Sequence, residues 1–294
     1  MLPQTTPYTF GTMTVGADVN RLQEDTRVVR QAMDAGVWFH TARGYSSIAN
    51  CNLLGRALAE DRAHAPRIMA KIRCYNPDIL RYDVEDTLSM LGVERVDIAQ
   101  LSLRSGESKR ALVDDFIAGG PMSELCRKFQ AQGKVGSLVL EVFFNTAAES
   151  LDAVERDLFD GYTFYYNLLE RETSNAVFER IREKRQPLLA LRAVAGGCSN
   201  PAWYAARKAK DPDSRTVRIY ESVRELAALY GVTDWLEFAY AFLLGQDNVV
   251  TAIAGTTDAA HLAANIAAAS SYRPIPAELM ERIHAIHAEW MARA

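Results

Sequence analysis

Apolar positions along this chain follow two alternating rhythms: short, nearly continuous apolar runs, and longer stretches in which apolar residues recur every three or four positions. The runs Tyr8–Met13, Val37–Ala42, Ile68–Ile72, Val96–Leu101, Val135–Phe143, Tyr162–Tyr166, Pro187–Leu191 and Val249–Ala254 predict strands. Leu22–Ala35, Asn50–Glu60, Pro77–Leu91, a segment opened by Pro121 and stopped by Gly133, Ala147–Asp157 and Asn175–Lys184 predict the intervening helices. The third helix shows its period plainly, with Ile79, Leu80, Val84, Leu88 and Leu91 on one face. After the seventh strand the pattern lapses. Residues from about 195 to 215 carry turn formers at both ends and read as a long loop, a length at which loops tend to be functional. Arg218–Tyr230, Trp235–Leu244, Ala259–Ala269 and Pro276–Ala292 return to helical spacing. Eight strand–helix units without repeats predict a single α/β domain over 1–294, a (β/α)8 TIM barrel closed by C-terminal helices over 259–292.

A barrel of this kind presents its chemistry at the C-terminal ends of its strands. The stretch Trp38-Phe39-His40-Thr41-Ala42-Arg43-Gly44-Tyr45 is such an end, apolar and then abruptly polar, and it carries two titratable groups, His40 and Tyr45. The next tip carries Lys71 and Arg73. Further round come Ser102 and Arg104, then Glu141, then Asn167 and Glu170, then Arg192. A lysine beside a phenol favours the phenolate, so Tyr45 and Lys71 together can exchange a proton near neutral pH. Arg73 and Arg192, with Asn167, suit a polar or anionic small molecule, because guanidinium forks bind carboxylate and phosphate bidentately. Each residue also has a plainer reading. His40 can be a satisfied neutral ring, Glu141 a structural partner of Arg192 or Arg73, Ser102 a space filler, and Arg104 and Glu170 solvated loop charges.

Phe10-Gly11-Thr12-Met13, Phe39-His40-Thr41-Ala42 with Tyr45, Leu54-Gly55-Arg56-Ala57-Leu58, Lys71, Leu88 with Leu91-Gly92, Val96-Asp97 and Gln132-Gly133-Lys134-Val135 form an ordered series. It continues through Tyr166-Asn167 to Ile253-Ala254-Gly255 with Leu262 and Asn265. In order and spacing these landmarks resemble the aldo-keto reductase family over nearly the whole chain. The resemblance implies a nicotinamide-dependent oxidoreductase whose catalytic groups are an aspartate, a tyrosine, a lysine and a histidine. Tyr45 and Lys71 stand at the tyrosine and lysine positions. His40 replaces the aspartate and Ser102 the histidine. The family's nicotinamide-holding Ser-Asn falls on Glu141-Val142, and its glutamine on Thr163. The pyrophosphate and adenosine site falls on Gly255, Thr256, Thr257 and Asn265, before and within a helix whose N-terminus offers amides to an anion. The positions of the 2′-phosphate cations hold Thr257, Asp258 and His261, so NAD is expected over NADP, with weak binding.

Composition narrows the partners. A formal charge of −4 over 294 residues, with mixed signs and no basic run, argues against nucleic acid. Cys51, Cys74, Cys126 and Cys198 lack the close spacing of a metal or redox site and are expected to be reduced thiols, with no metal bound. The N-terminal residues show no basic-then-apolar signal and no run reaches membrane-span length, so a cytoplasmic protein is the default expectation. Three functions remain: a nicotinamide oxidoreductase acting on a small carbonyl or hydroxyl compound; a cofactor-independent lyase or isomerase using Glu141, His40, Tyr45 and Lys71; and a redox-silent binding protein. The pattern of residues specifies neither the substrate nor the oligomeric state.

Overall fold

The strands close on themselves. In chain order they are β1 (Tyr8–Gly11), β2 (Trp38–Ala42), β3 (Ile68–Arg73), β4 (Val96–Ser102), β5 (Val135–Glu141), β6 (Gly161–Asn167), β7 (Glu170–Arg171), β8 (Leu188–Leu191) and β9 (Val249–Ala254). β1 pairs in parallel with β2 on one side and β9 on the other, and the β5–β6 pairing completes the ring. β7 folds back antiparallel on β6 as a short hairpin outside it. The molecule is therefore a (β/α)8 barrel. The computed structural model describes residues 2–103, 107–143, 146–194 and 201–292. Among them no helix is long and apolar enough to cross a membrane.

Around the ring lie α1 (Leu22–Asp34), α2 (Ala49–Glu60), α3 (Pro77–Leu91), α4 (Arg110–Ala118), α5 (Pro121–Ala131), α6 (Ala147–Glu155), α7 (Asn175–Glu183), α8 (Pro201–Lys210), α9 (Arg215–Leu229), α10 (Trp235–Leu244), α11 (Ala259–Ser271) and α12 (Ala277–Ala292). Helix α3 begins where the Asn76 side chain accepts the Ile79 amide, at 2.9 Å, with Pro77 in the first turn. It ends at Gly92, whose φ of 63° closes the last turn. Leu80, Val84, Leu88 and Leu91 are buried against the sheet. Three elements differ from expectation. α4 and the β7 hairpin were not signalled by apolar period, and Pro201–Lys210 is a helix rather than loop. A proline at its first turn followed by alanines and long side chains explains α8, while residues 195–200 of that segment, Cys198 among them, lie outside the described residues.

Inside the ring a second, smaller core forms from Trp38, Met69, Ile98, Val139, Leu189, Leu191 and Ile253. Side chains alternate faces along a strand, so the residues two positions onward also point inward and stack above this layer. They are His40, Lys71, Gln100, Glu141 and, from β6, Tyr165. An apolar floor thus carries a polar storey at the C-terminal mouth, and the site rests on this step.

Candidate active site

Asn50, fully buried, fixes the first wall of the mouth. Its side-chain oxygen accepts from the hydroxyls of Thr41 at 2.8 Å and Thr12 at 3.3 Å, and its amide donates to the carbonyls of Thr12 and Val15. This ties β1, β2 and α2 together just beside the Tyr45–Ile48 turn, a single 3-10 turn in which Ser46 and Ile48 take φ of 49° and 71°. Positive φ is strained for a β-branched residue, and the Asn50 clamp provides the surrounding order that such strain requires. Tyr45 thereby lies edge-on to His40, with ring centroids 6.3 Å apart.

His40 is buried, and its Nε2 donates to the Gln100 side-chain oxygen at 2.9 Å. Burial, with the Lys71 charge, pushes its pKa down to about 3, against the opposing hydrogen bond to Gln100. It is thus a neutral ring and not a replacement for a carboxylate. The carboxylate of the mouth comes from β5. Glu141, fully buried, receives Lys71 Nζ on Oε1 at 2.8 Å and the Ser102 hydroxyl on Oε2. Neither Arg73 nor Arg192 is its partner, and Ser102 does more than fill space.

Tyr45 overturns an expectation. Its pKa is raised, first by burial and then by the charge of the Glu141 carboxylate, where a lowering by Lys71 was expected. Lys71 spends its charge on Glu141, so the phenol is held protonated. The surrounding arginines also divide. Arg73 swings out to α3, where Asp83 takes its Nε and Nη2 at 2.8 and 2.6 Å, so it serves the wall and not the mouth. Arg192 stays at the mouth, its guanidinium 3.9 Å from the centroid of the Tyr165 ring. Asn167 is a brace: its amide donates to the Arg192 carbonyl and Glu170, and its oxygen accepts the Leu169 and Glu170 amides. Glu170, expected as a solvated loop charge, is only 17% exposed in the β7 hairpin. Arg104 lies outside the described residues.

Four mouth residues escaped the sequence reading: Gln100, Lys109, Phe143 and Tyr165. Gln100 and Tyr165 were recoverable by parity, two positions before Ser102 and two after Thr163. Lys109 had no such signal. It is fully buried at the start of α4, its Nζ lies 5.1 Å from the Phe143 centroid, and it makes no hydrogen bond among the described residues. Burial lowers its pKa against the pull of Glu141 and Cys74.

The residues that a dinucleotide would meet fit it at one end only. The Gly255–Thr257 turn is open to solvent, leads to the α11 N-terminus, and is joined by Arg21, which donates to the Thr257 carbonyl at 3.0 Å. Thr256, Thr257 and Arg21 can meet a phosphate there, although the Asp258 carboxylate already caps the helix through the His261 amide. Gly255 has a structural reason of its own, since a Cβ on it would lie 2.4 Å from the Gly11 carbonyl oxygen. Asn265 is buried and accepts from the Tyr240 hydroxyl at 2.9 Å. At the carboxamide end Glu141 is sealed in its ion pair, Val142 is apolar, and the Thr163 hydroxyl donates to the Leu189 carbonyl at 2.7 Å. No free amide or hydroxyl is offered by those three positions.

Comparison with known proteins agrees with this architecture. The model of the aldo/keto reductase family matches residues 8–288. No curated protein matches the chain in sequence. Among solved structures, the glycerol dehydrogenase of Gluconobacter oxydans superposes with a TM-score of 0.73 at 19% identity, covering 98% of this chain and 94% of that one. The holo form of an aldo-keto reductase from Bacillus halodurans gives 0.72 at 18% identity, covering 98% of both chains. An aldo-keto reductase from Klebsiella pneumoniae in complex with NADPH gives 0.70 at 16%, covering 98% and 96%. At these identities the superpositions establish the shared fold, and the family match over most of the chain establishes the kinship: this chain belongs to the aldo/keto reductase family.

Proposed function

We propose that the protein is an oxidoreductase acting on a carbonyl or hydroxyl group of a small polar or anionic compound, with a nicotinamide cofactor. What supports this reading is that Tyr45, edge-on to His40, and Lys71, paired with Glu141, fall where the resemblance puts the family's tyrosine and lysine, on a barrel of that family. When bound, the nicotinamide supplies the hydride. Tyr45 holds the proton that a carbonyl oxygen takes up on reduction, and its raised pKa keeps that proton on the phenol until transfer. Lys71, ion-paired with Glu141, holds that carboxylate in place, and neutral His40 borders the substrate without competing for the proton.

The one-ended fit supports weak cofactor binding. The Asp258 carboxylate, where the resemblance places 2′-phosphate cations, supports NADH binding at least as tightly as NADPH. The test is to titrate the pure protein with NADH, NADPH, NAD and NADP while following tryptophan fluorescence and heat. Saturable binding is expected, and its absence with every dinucleotide would end the redox reading. A tenfold preference for NADPH would end the NAD assignment alone.

One observation favours a second reading. Glu141 and Ser102, hydrogen-bonded to each other, occupy the place where the resemblance puts carboxamide contacts. A buried carboxylate beside Lys71 and a protonated phenol suits proton transfer next to a carbonyl, the chemistry of a cofactor-independent lyase or isomerase. Turnover measured without any dinucleotide would decide for it.

A further inference from the structure

Arg192 is built into the mouth in a manner its neighbours are not. It stands one residue past β8 with φ of 60°, a left-handed conformation that is strained for a long side chain. Two fixtures hold it there. The Asn167 amide grips its carbonyl at 2.9 Å, and the Tyr165 ring lies under its guanidinium at 3.9 Å. Tyr165 is itself steadied by the Phe143 ring, edge-on at 6.3 Å. The Arg192 side chain is half exposed and makes no hydrogen bond among the described residues; its nearest carboxylate oxygen, on Glu170, is 3.8 Å away. Arg43 and Arg73, by contrast, are bound to Asp86 and Asp83. Strain, a bracing amide and a stacking ring are thus spent on a guanidinium whose partner among the described residues is the Glu170 carboxylate at 3.8 Å, beyond hydrogen-bond reach.

We propose that Arg192 is an anion receptor of the active-site mouth, taking a carboxylate or phosphate group through its guanidinium fork. The assignment deepens the functional reading above and rests on the same mouth being the reaction site. Stacking on Tyr165 fixes the plane of the fork, and a planar fork held in advance loses less entropy on binding than a free one. Tyr165 itself packs on the inner core of the barrel beneath the polar storey, while its face carries Arg192. A ligand whose anionic end meets Arg192 therefore has its other end over the barrel mouth. That geometry selects small compounds bearing one acidic group some distance from the reacting oxygen, or places a phosphate of a bound dinucleotide there.

Calorimetric titration of the full chain without dinucleotide tests the proposal, using oxalate as the carboxylate probe and inorganic pyrophosphate as the phosphate probe. Whichever probe binds more tightly tells a substrate carboxylate from a cofactor phosphate. Arg192→Met is expected to weaken that probe about tenfold or more, the scale of charged hydrogen bonds lost. Arg192→Lys should be intermediate, because it keeps the charge but not the fork. Glu170→Gln should tighten binding, since it removes the competing carboxylate found among the described residues while leaving an oxygen for Asn167. Unchanged affinity in Arg192→Met, or a wild type that binds neither probe, overturns the receptor role. Because no nicotinamide enters these measurements, their failure is separate from failure of the redox reading.

Discussion

Glu141 decides most at the scale of single residues. Replacing it with glutamine keeps the shape and removes the base. If the protein transfers hydride, Glu141→Gln alters how Lys71 is held and should leave the chemical step within roughly tenfold; as a general base its loss should cost on the order of 10²–10⁴ in rate. Stopped-flow measurement of the chemical step separates the two. Tyr45→Phe should cost a comparable 10²–10⁴ under either reading, because the transferable proton goes with the hydroxyl. Lys109 makes a different prediction. A buried amine with no hydrogen-bond partner among the described residues is a stability defect, so Lys109→Met is expected to raise unfolding free energy by about 1–3 kcal/mol. A lower melting temperature in that variant would show that Lys109 has a partner that stabilises the fold.

At the scale of elements, the mouth depends on how strand tips are joined to helices. Asn50 joins two tips to α2 with hydrogen bonds on both its oxygen and its amide, all out of water. Asn50→Ala leaves Thr41 Oγ1 and the Thr12 and Val15 carbonyls short of partners, and is expected to cost about 2–4 kcal/mol. The strained Tyr45–Ile48 turn beside it should loosen at the same time. Urea unfolding gives the first quantity, and amide exchange over residues 45–48 gives the second; unchanged exchange would mean that the turn holds itself. Sequence pattern showed α2 and β2 but not this joint, because an asparagine inside a helical period carries no sign of which backbone it will meet.

For the whole molecule, acid sensitivity follows from three buried imidazoles. His40, His284 and His287 each have a pKa pushed down to about 3, by burial first and then by neighbouring cations: Lys71 for the first, Arg182 and Arg171 for the second, Arg171 for the third. Tyr166 and Glu281 also face His284, and the Leu168 carbonyl faces His287. The folded protein keeps these rings neutral, whereas the unfolded chain protonates them near 6.5. Stability is therefore full above that pH and is lost as pH falls from there toward 3, by on the order of 2 kcal/mol per ring between pH 7 and pH 5. Equal urea midpoints at the two pH values would show that the rings are not held neutral.

What the sequence determined by itself was the architecture and, from it, which residues stand at the strand tips of the candidate site. Period two and period 3.6 are local properties, repeated often enough here that strand tips, and hence His40, Tyr45, Lys71, Ser102 and Glu141, could be placed at one mouth. The pairings were beyond it. That Lys71 would choose Glu141 over Tyr45, that Arg73 would leave for Asp83 while Arg192 stayed, and that Asn167 would serve a backbone all depend on side-chain reach across different strands and helices. Charges are read from sequence as types, but their partners are fixed by distances of a few ångströms between residues tens of positions apart. Only the closed barrel sets those distances, and they determine which groups remain free to meet a ligand.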